Sequence, residues 1–245
     1  ELGLFTAQSL FLTITNANFD SERIRKQIDR AKELVGPNPP EIPVGVLACE
    51  NEDVRSLREL LTYGLKGIAA YTDHAAMLGK ENDEIYAFLF KGLAGAAKET
   101  DPDILTTLVL ECGEIAVKAM ELLDRANTET YGHPQMTKVP TGVGKRPGIL
   151  ISGHDLRDLQ ELLEQSADAG IDIYTHSEML PAHSYPAFRK YPHLYGNYGG
   201  AWHRQNQEFA SFRGPILMTT NCITPVQESY RDRIFTTGMA GYPGV

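Results

Sequence analysis

Apolar positions in the first half of the chain recur at helical spacing. Residues 1–15 are apolar and helix-like. Asp20 or Ser21 can cap a helix over 21–35, with Ile24, Ile28, Ala31 and Val35 along one face. Gly36-Pro37-Asn38-Pro39-Pro40 ends it. Val54, Leu57, Leu61, Leu65, Ile68, Ala75 and Leu78 predict a long core-facing helix over 51–79, stopped by Gly79. Gly64 and Gly67 lie inside it and mark a kink or a close helix–helix approach. A helix over 82–98 carries a small-residue face, including Gly92 and Ala94 to Ala97, that lets a neighbour pack close. Asp101-Pro102 reads as an N-cap with proline in the first helical position. That helix runs to Asn127, with Leu105, Leu108, Cys112, Ile115, Ala119 and Leu122 as core positions. Helices joined by loops this short make a bundle.

The pattern changes at 128–147, which is rich in Gly, Pro and Thr and reads as a domain boundary. Strand and helix then alternate: a strand over 148–152, a helix over 155–169 ending at Gly170, a strand over 171–175, a mixed segment, and a strand over 215–220. This is the β-α-β start of an open, doubly wound sheet. The expected fold class is therefore α/β overall. A helical bundle domain over 1–140 precedes a Rossmann-like domain over 141–245 with a mainly parallel sheet. Such sheets bind ligands at the carboxyl ends of their strands.

Composition narrows the function classes. The chain has 245 residues, 42% hydrophobic and 22% charged, which suits a globular protein with a real core. A net charge of −9 argues against a nucleic-acid partner, because phosphate binding needs concentrated Lys and Arg. No run approaches ~18 apolar residues, so no membrane span is expected. The opening Glu1-Leu2-Gly3 has no initiator Met and no signal features, and the chain ends abruptly, so both ends are expected to be cuts through a longer protein. Cys49, Cys112 and Cys222 are odd in number and far apart, which points to a reducing, cytoplasmic setting rather than a disulfide framework. They cannot by themselves complete an iron–sulfur or zinc site. Cys49 and Cys112 are expected in cores.

Three phrases carry candidate chemistry: Gly148 to Asp155, Tyr174 to Pro181, and Leu217 to Cys222. Each joins a strand-like run to one potential ligand: His154, Glu178 or Cys222. Each also has a plain structural reading. His154 can be a turn residue beside the helix cap Asp155. Glu178 can be a first-turn carboxylate facing a helix dipole. Cys222 can be a buried, inert thiol. Five of seven histidines fall within 154–203, and Tyr195 to Trp202 is a glycine-rich aromatic loop, either a pocket wall or a small aromatic core. The glycines do not follow the strand-G-x-G-x-x-G-helix order of a dinucleotide site, and no G-x-S-x-G or P-loop pattern occurs. Imidazole, carboxylate and thiolate together suit zinc or a mixed oxygen–sulfur iron centre. The residue types alone lead to a mixed-ligand metal site. A mononuclear zinc or iron hydrolase and a metal-free scaffold stay open beside it.

The longer phrases resemble the hybrid-cluster protein family, also called prismane protein or hydroxylamine reductase. The resemblance covers essentially the whole chain. It includes Thr13 to Asn18, Glu50 to Leu60, Ala126-Asn127-Thr128 and Gly142 to Lys145. It is strongest in Pro147 to Leu156, Tyr174 to Ala182, Tyr191 to Gly200 and Thr219 to Cys222. The related nickel carbon-monoxide dehydrogenases share the architecture and use a Gly-His-x-Pro turn. The turn here, Gly153-His154-Asp155-Leu156, favours the hybrid-cluster branch, with a carbon-monoxide-dehydrogenase-like metalloenzyme as the alternative.

The resemblance implies a hybrid iron–sulfur–oxygen cluster held in part by His154, Glu178 and Cys222, whose spacings of 24 and 44 residues agree with the family pattern. It implies reduction of a small inorganic nitrogen substrate, hydroxylamine to ammonia or nitric oxide, with Glu178 as a movable catalytic ligand and an electron-donor protein as partner. Asn221 and Tyr198 are implied supports behind the ligands. The family's N-terminal cysteine motif, which holds a second iron–sulfur cluster, does not occur in this sequence. Nor do its later cysteine ligands or its Glu-x-Lys segment. The remaining ligands are thus expected elsewhere, in a longer protein or in a matched partner chain.

Overall fold

The computed structural model describes residues 1–15, 17–36, 42–43 and 45–245. They divide into two compact units. One comprises 1–14 and 21–126, the other 15–20 and 127–245.

The first unit is helical. Its elements are α1 (Leu2–Leu12), α2 (Ser21–Val35), α3 (Glu52–Met77), α4 (Asp83–Lys98) and the part of α5 (Pro102–Tyr131) up to Ala126. Side-chain caps start three of them. Asn51 accepts from the amides of Asp53 and Val54, Asn82 from those of Glu84 and Ile85, and Asp101 from that of Asp103. The core holds Leu61, Leu65, Ile68, Ile85, Leu89, Ile115 and Leu122. Gly64 marks a close approach: a Cβ there would lie 2.6 Å from the Cys112 sulfur. Gly67 faces open space. Cys112 is buried, and burial pushes its thiol pKa up.

One helix forms as predicted without burying a residue, and one expectation fails in this unit. No residue of α2 is buried: Ile28 and Val35 are exposed, although the helix forms where its periodicity predicts. Periodicity specifies an apolar face but not a neighbour to cover it. Cys49 is half-buried rather than core, beside exposed Val46 and Leu47, with its thiol donating to the Asn51 carbonyl. The proline stop at 37–40 lies outside the described residues.

The second unit is built on five parallel strands in the order β3-β2-β1-β4-β5. They are β1 (Gly148–Ser152), β2 (Asp172–His176), β3 (Leu194–Tyr198), β4 (Ile216–Met218) and β5 (Ile234–Thr236). Helix α6 (Leu156–Gln165) connects β1 to β2. Two 3-10 turns, Ser177–Ser184 and Pro186–Lys190, follow β2. Helix α7 (Gln205–Ser211) precedes β4. Every residue of β2 is buried, as expected for a parallel strand covered on both faces. Leu150, Tyr174, Phe209, Ile216, Met218, Tyr230 and Ile234 form the core.

Helix α6 is shorter than the predicted 155–169: it ends at Gln165, with Ser166 as its C-cap, and 166–170 is a run of turns. Strands β3 and β5 are not among the predicted elements, and both are sheet edges; β3 carries Gly196 and Asn197, while β5 is a short Ile-Phe-Thr run. The strand order reverses direction at β1, between β2 and β4. In doubly wound sheets the crevice beyond the carboxyl ends of the strands at this switch is where ligands bind.

Candidate metal centre

His154 follows β1, Glu178 follows β2, and Cys222 follows β4. All three line one cavity of about 10 Å³ with Ser152, Gly153, His176, Ser177, Trp202, Gln205 and Asn221. That is room for about one molecule the size of water.

Local sequence explains how His154 reaches the cavity. Gly153 takes φ +120, and a Cβ there would crowd the Thr220 amide at 2.8 Å, so only glycine lets the β1–α6 turn approach the end of β4 this closely. Asp155 caps α6 by accepting from the amides of Arg157 and Asp158. The His154 amide donates to Thr220 Oγ1 at 2.8 Å. The Asn221 carbonyl can only accept, so His154 Nδ1 donates its proton there, at 2.9 Å. That leaves Nε2 facing Glu178 Oε2 at 2.8 Å.

The Glu178 segment is held less comfortably. Ser177 has φ +51, a left-handed conformation that costs on the order of 1–3 kcal/mol for a residue with a side chain. Its Oγ is buried without a hydrogen-bond partner among the described residues. The Cys222 loop is held by Gln205, whose Nε2 donates to the Cys222 carbonyl at 2.6 Å and whose Oε1 accepts from the Thr224 amide and hydroxyl. The Asn221–Cys222 peptide bond is cis.

Behind these residues lies a buried polar chain. His176 is 1% exposed, and burial pulls its pKa below the usual histidine range, against a smaller opposing pull from Glu208. Its Nε2 meets Glu208 Oε2 at 2.9 Å and its Nδ1 meets Ser152 Oγ at 2.8 Å. With a carboxylate on Nε2, that nitrogen carries the proton, and Ser152 donates to Nδ1. The second Glu208 oxygen accepts from the Gly200 amide.

The sequence-predicted residues thus fall into three groups. His154 and Glu178 are in direct contact, and Cys222 shares their cavity. Asn221 supports His154, through its backbone carbonyl. Tyr198 is elsewhere: its hydroxyl contacts Glu208 O and Ser211 Oγ, and it does not line the cavity. Gln205, Ser152, His176 and Glu208 are additions that sequence reasoning missed. The available signals were that Ser152 sits in the same phrase as His154 and His176 in the same phrase as Glu178.

Two observations fit a bound metal group. A lone-pair nitrogen and a carboxylate oxygen facing each other at 2.8 Å need a cation between them, a proton or a metal ion. The separation is that of a hydrogen bond, so a proton satisfies this pair when no metal ion is bound. The donor chemistry of imidazole, carboxylate and thiolate suits mixed iron ligation. The set is incomplete by itself: among the described residues, no three His, Cys, Asp or Glu groups are placed to hold a metal ion. No described helix is long and apolar enough to cross a membrane.

Comparison with known proteins gives a consistent family assignment. Residues 2–245 match the model of the Prismane/CO dehydrogenase family. The chain is 56% identical to a hydroxylamine reductase of Chlorobaculum tepidum, covering 100% of this chain and 50% of that protein. It is 51% identical to a hydroxylamine reductase of Halothermothrix orenii, covering 100% and 51%. It is 54% identical to one of Clostridium perfringens, covering 96% and 49%. The chain spans about half the length of the curated relatives it matches.

Proposed function

Because the chain belongs to the Prismane/CO dehydrogenase family, we propose that it supplies one wall of the active site of an iron–sulfur oxidoreductase that reduces small nitrogen species. Hydroxylamine is the first candidate substrate, from the names of the relatives, and nitric oxide is the second. The observation that carries this reading is the convergence of His154, Glu178 and Cys222 on one small cavity at the sheet's switch point.

A hybrid iron–sulfur–oxygen cluster, when bound, supplies electrons and an iron position open to substrate. His154 would hold iron through Nε2, its ring fixed by the bond from Nδ1 to the Asn221 carbonyl. Cys222 would hold a sulfur-coordinated iron. Glu178, with a side chain 51% exposed, has room to swing from His154 and admit substrate. Converting hydroxylamine to ammonia and water consumes two electrons and two protons. An electron-donor protein is the expected source of the electrons, and the other half of the family's length, in this or a partner chain, is the expected source of the remaining cluster ligands.

The test is anaerobic purification with any co-purifying partner, followed by iron and acid-labile sulfide analysis. Iron with sulfide is expected, lost in His154→Ala and Cys222→Ser. Glu178→Gln should alter the cluster spectrum and lower hydroxylamine turnover. Iron without sulfide points instead to a mononuclear centre, and neither metal nor sulfide when the other half of the family's length is present points to a scaffold; either result overturns the proposal.

A further inference from the structure

We propose that Gln205 is the positioning residue of Cys222, clamping its loop so that the thiol is presented to the metal side of the cavity. The inference rests on Cys222 being a ligand. Gln205 lines the cavity yet is 3% exposed. Its amide is used at both ends on the same short loop: Nε2 to the Cys222 carbonyl, Oε1 to the amide and hydroxyl of Thr224. Those contacts fix the backbone on both sides of Ile223, which is itself fully buried. The residue before Cys222 is tied separately, its carbonyl receiving His154 Nδ1. The imidazole and thiolate donors are therefore coupled through consecutive carbonyls, Asn221 to His154 and Cys222 to Gln205. Gln205 belongs to α7, which precedes β4, so a residue outside all three ligand phrases sets the geometry of one ligand. A buried amide satisfied at both ends has one orientation, which a hydrophobic residue of the same volume cannot impose.

Gln205→Glu tests this in the full chain. It keeps the shape and both acceptor contacts, and turns the donor facing the Cys222 carbonyl into a second oxygen. Three readouts are taken anaerobically: iron(II) affinity, the thermal unfolding midpoint of the metal-free chain, and the rate of iodoacetamide alkylation at Cys222, with Cys49 as internal control, by peptide mass spectrometry. The expected result is an iron(II) affinity lowered ~10–100-fold and faster alkylation at Cys222 but not at Cys49. The unfolding midpoint should fall as well, because the change buries a carboxylate against the Cys222 carbonyl, so affinity and alkylation are read on the folded chain well below that midpoint. Gln205→Met, which keeps the volume and removes both polar ends, should behave alike and serves if the glutamate variant does not fold. Wild-type iron(II) affinity and wild-type Cys222 alkylation in either folded variant overturn the proposal. If Cys222→Ser binds iron(II) as tightly as wild type, the ligand reading of Cys222 fails. The clamp is then decided by alkylation alone, and an unchanged rate overturns it.

Discussion

The helical unit and the sheet unit both bury an apolar core, but they differ in the polar side chains buried with it. In the helical unit the buried side chains are almost all apolar: Leu61, Leu65, Ile68 and Leu89 among them, with Thr72 and Asp73 as the polar exceptions among the described residues. The sheet unit buries Ser152, Thr175, His176, His183, Asn197, Gln205, Thr219 and Thr220, and ties them together. Thr175 contacts His183 and Asn197, Ser152 contacts His176, and Thr219 donates to the Ser152 carbonyl. Apolar packing is non-directional and stabilises in proportion to area removed from water. A satisfied buried polar network is directional and fixes where each atom lies. The helical unit therefore rests on apolar packing almost alone, while the sheet unit adds to its apolar core a polar network that holds a few atoms in place.

That contrast can be broken by experiment. The largest expected effect is Leu65→Ala in the helical core. It should cost about 2–5 kcal/mol of stability in denaturant unfolding while leaving iron(II) binding of the folded chain unchanged. A loss of iron binding without loss of stability would erase the distinction between the units.

Asp158 should give the next largest effect, and one that depends on pH. Burial, then the negative charges of Asp155 and Glu161, push its carboxyl up to about 7, and its Oδ2 has no hydrogen-bond partner among the described residues. A carboxyl whose pKa is raised on folding favours the folded state when protonated. Its stabilisation is full below the unfolded value near 4 and is lost as pH rises through about 7. Asp158→Asn should flatten that window, stabilising the chain at pH 8 by on the order of 2 kcal/mol, roughly half the full shift because the residue is partly exposed. The comparison is the difference between variant and wild type at each pH, which cancels the opposite trend of buried, neutral His176. No difference between pH 5 and pH 8 would refute the assignment.

Tyr198→Phe should have the smallest effect. It removes a hydroxyl that contacts Glu208 O and Ser211 Oγ outside the cavity, so about 0.5–1.5 kcal/mol of stability should go. Iron binding should not move. A large change in the cluster spectrum would return Tyr198 to the site.

Much of this arrangement was legible in the sequence, for specific reasons. The central strands β1 and β4 are short apolar runs, as buried parallel strands usually are, and β2, although it buries Asp172, Thr175 and His176, keeps Ile173 and Tyr174 between Gly170 and the turn that follows it. The edge strands were not legible. β3 reads Leu194-Tyr195-Gly196-Asn197-Tyr198, whose pattern does not distinguish it from a loop, and it becomes a strand by pairing with β2. Helix α2 shows the reverse case: its period is strong, yet none of its residues is buried, with Ile24 and Ala31 half-covered and Ile28 and Val35 exposed. His154, Glu178 and Cys222 stood out because each follows a legible strand. Gln205 and Glu208 did not, since a polar residue on a short helix gives no sign in sequence that its side chain turns inward.

By itself, the sequence determined the local elements, the α/β class and the three strand-end residues, since these depend on period, caps and turn chemistry within a few residues. Tertiary structure decided the rest. Sheet order 3-2-1-4-5 places the ends of β1, β2 and β4 side by side. The close approach at Gly153 lets His154 meet the Asn221 carbonyl, 67 residues further along the chain. The Gln205 clamp on Cys222 spans 17 residues. Hydrogen bonds over such separations depend on which chain segments the sheet brings together, and that is a property of the packed whole rather than of any one stretch.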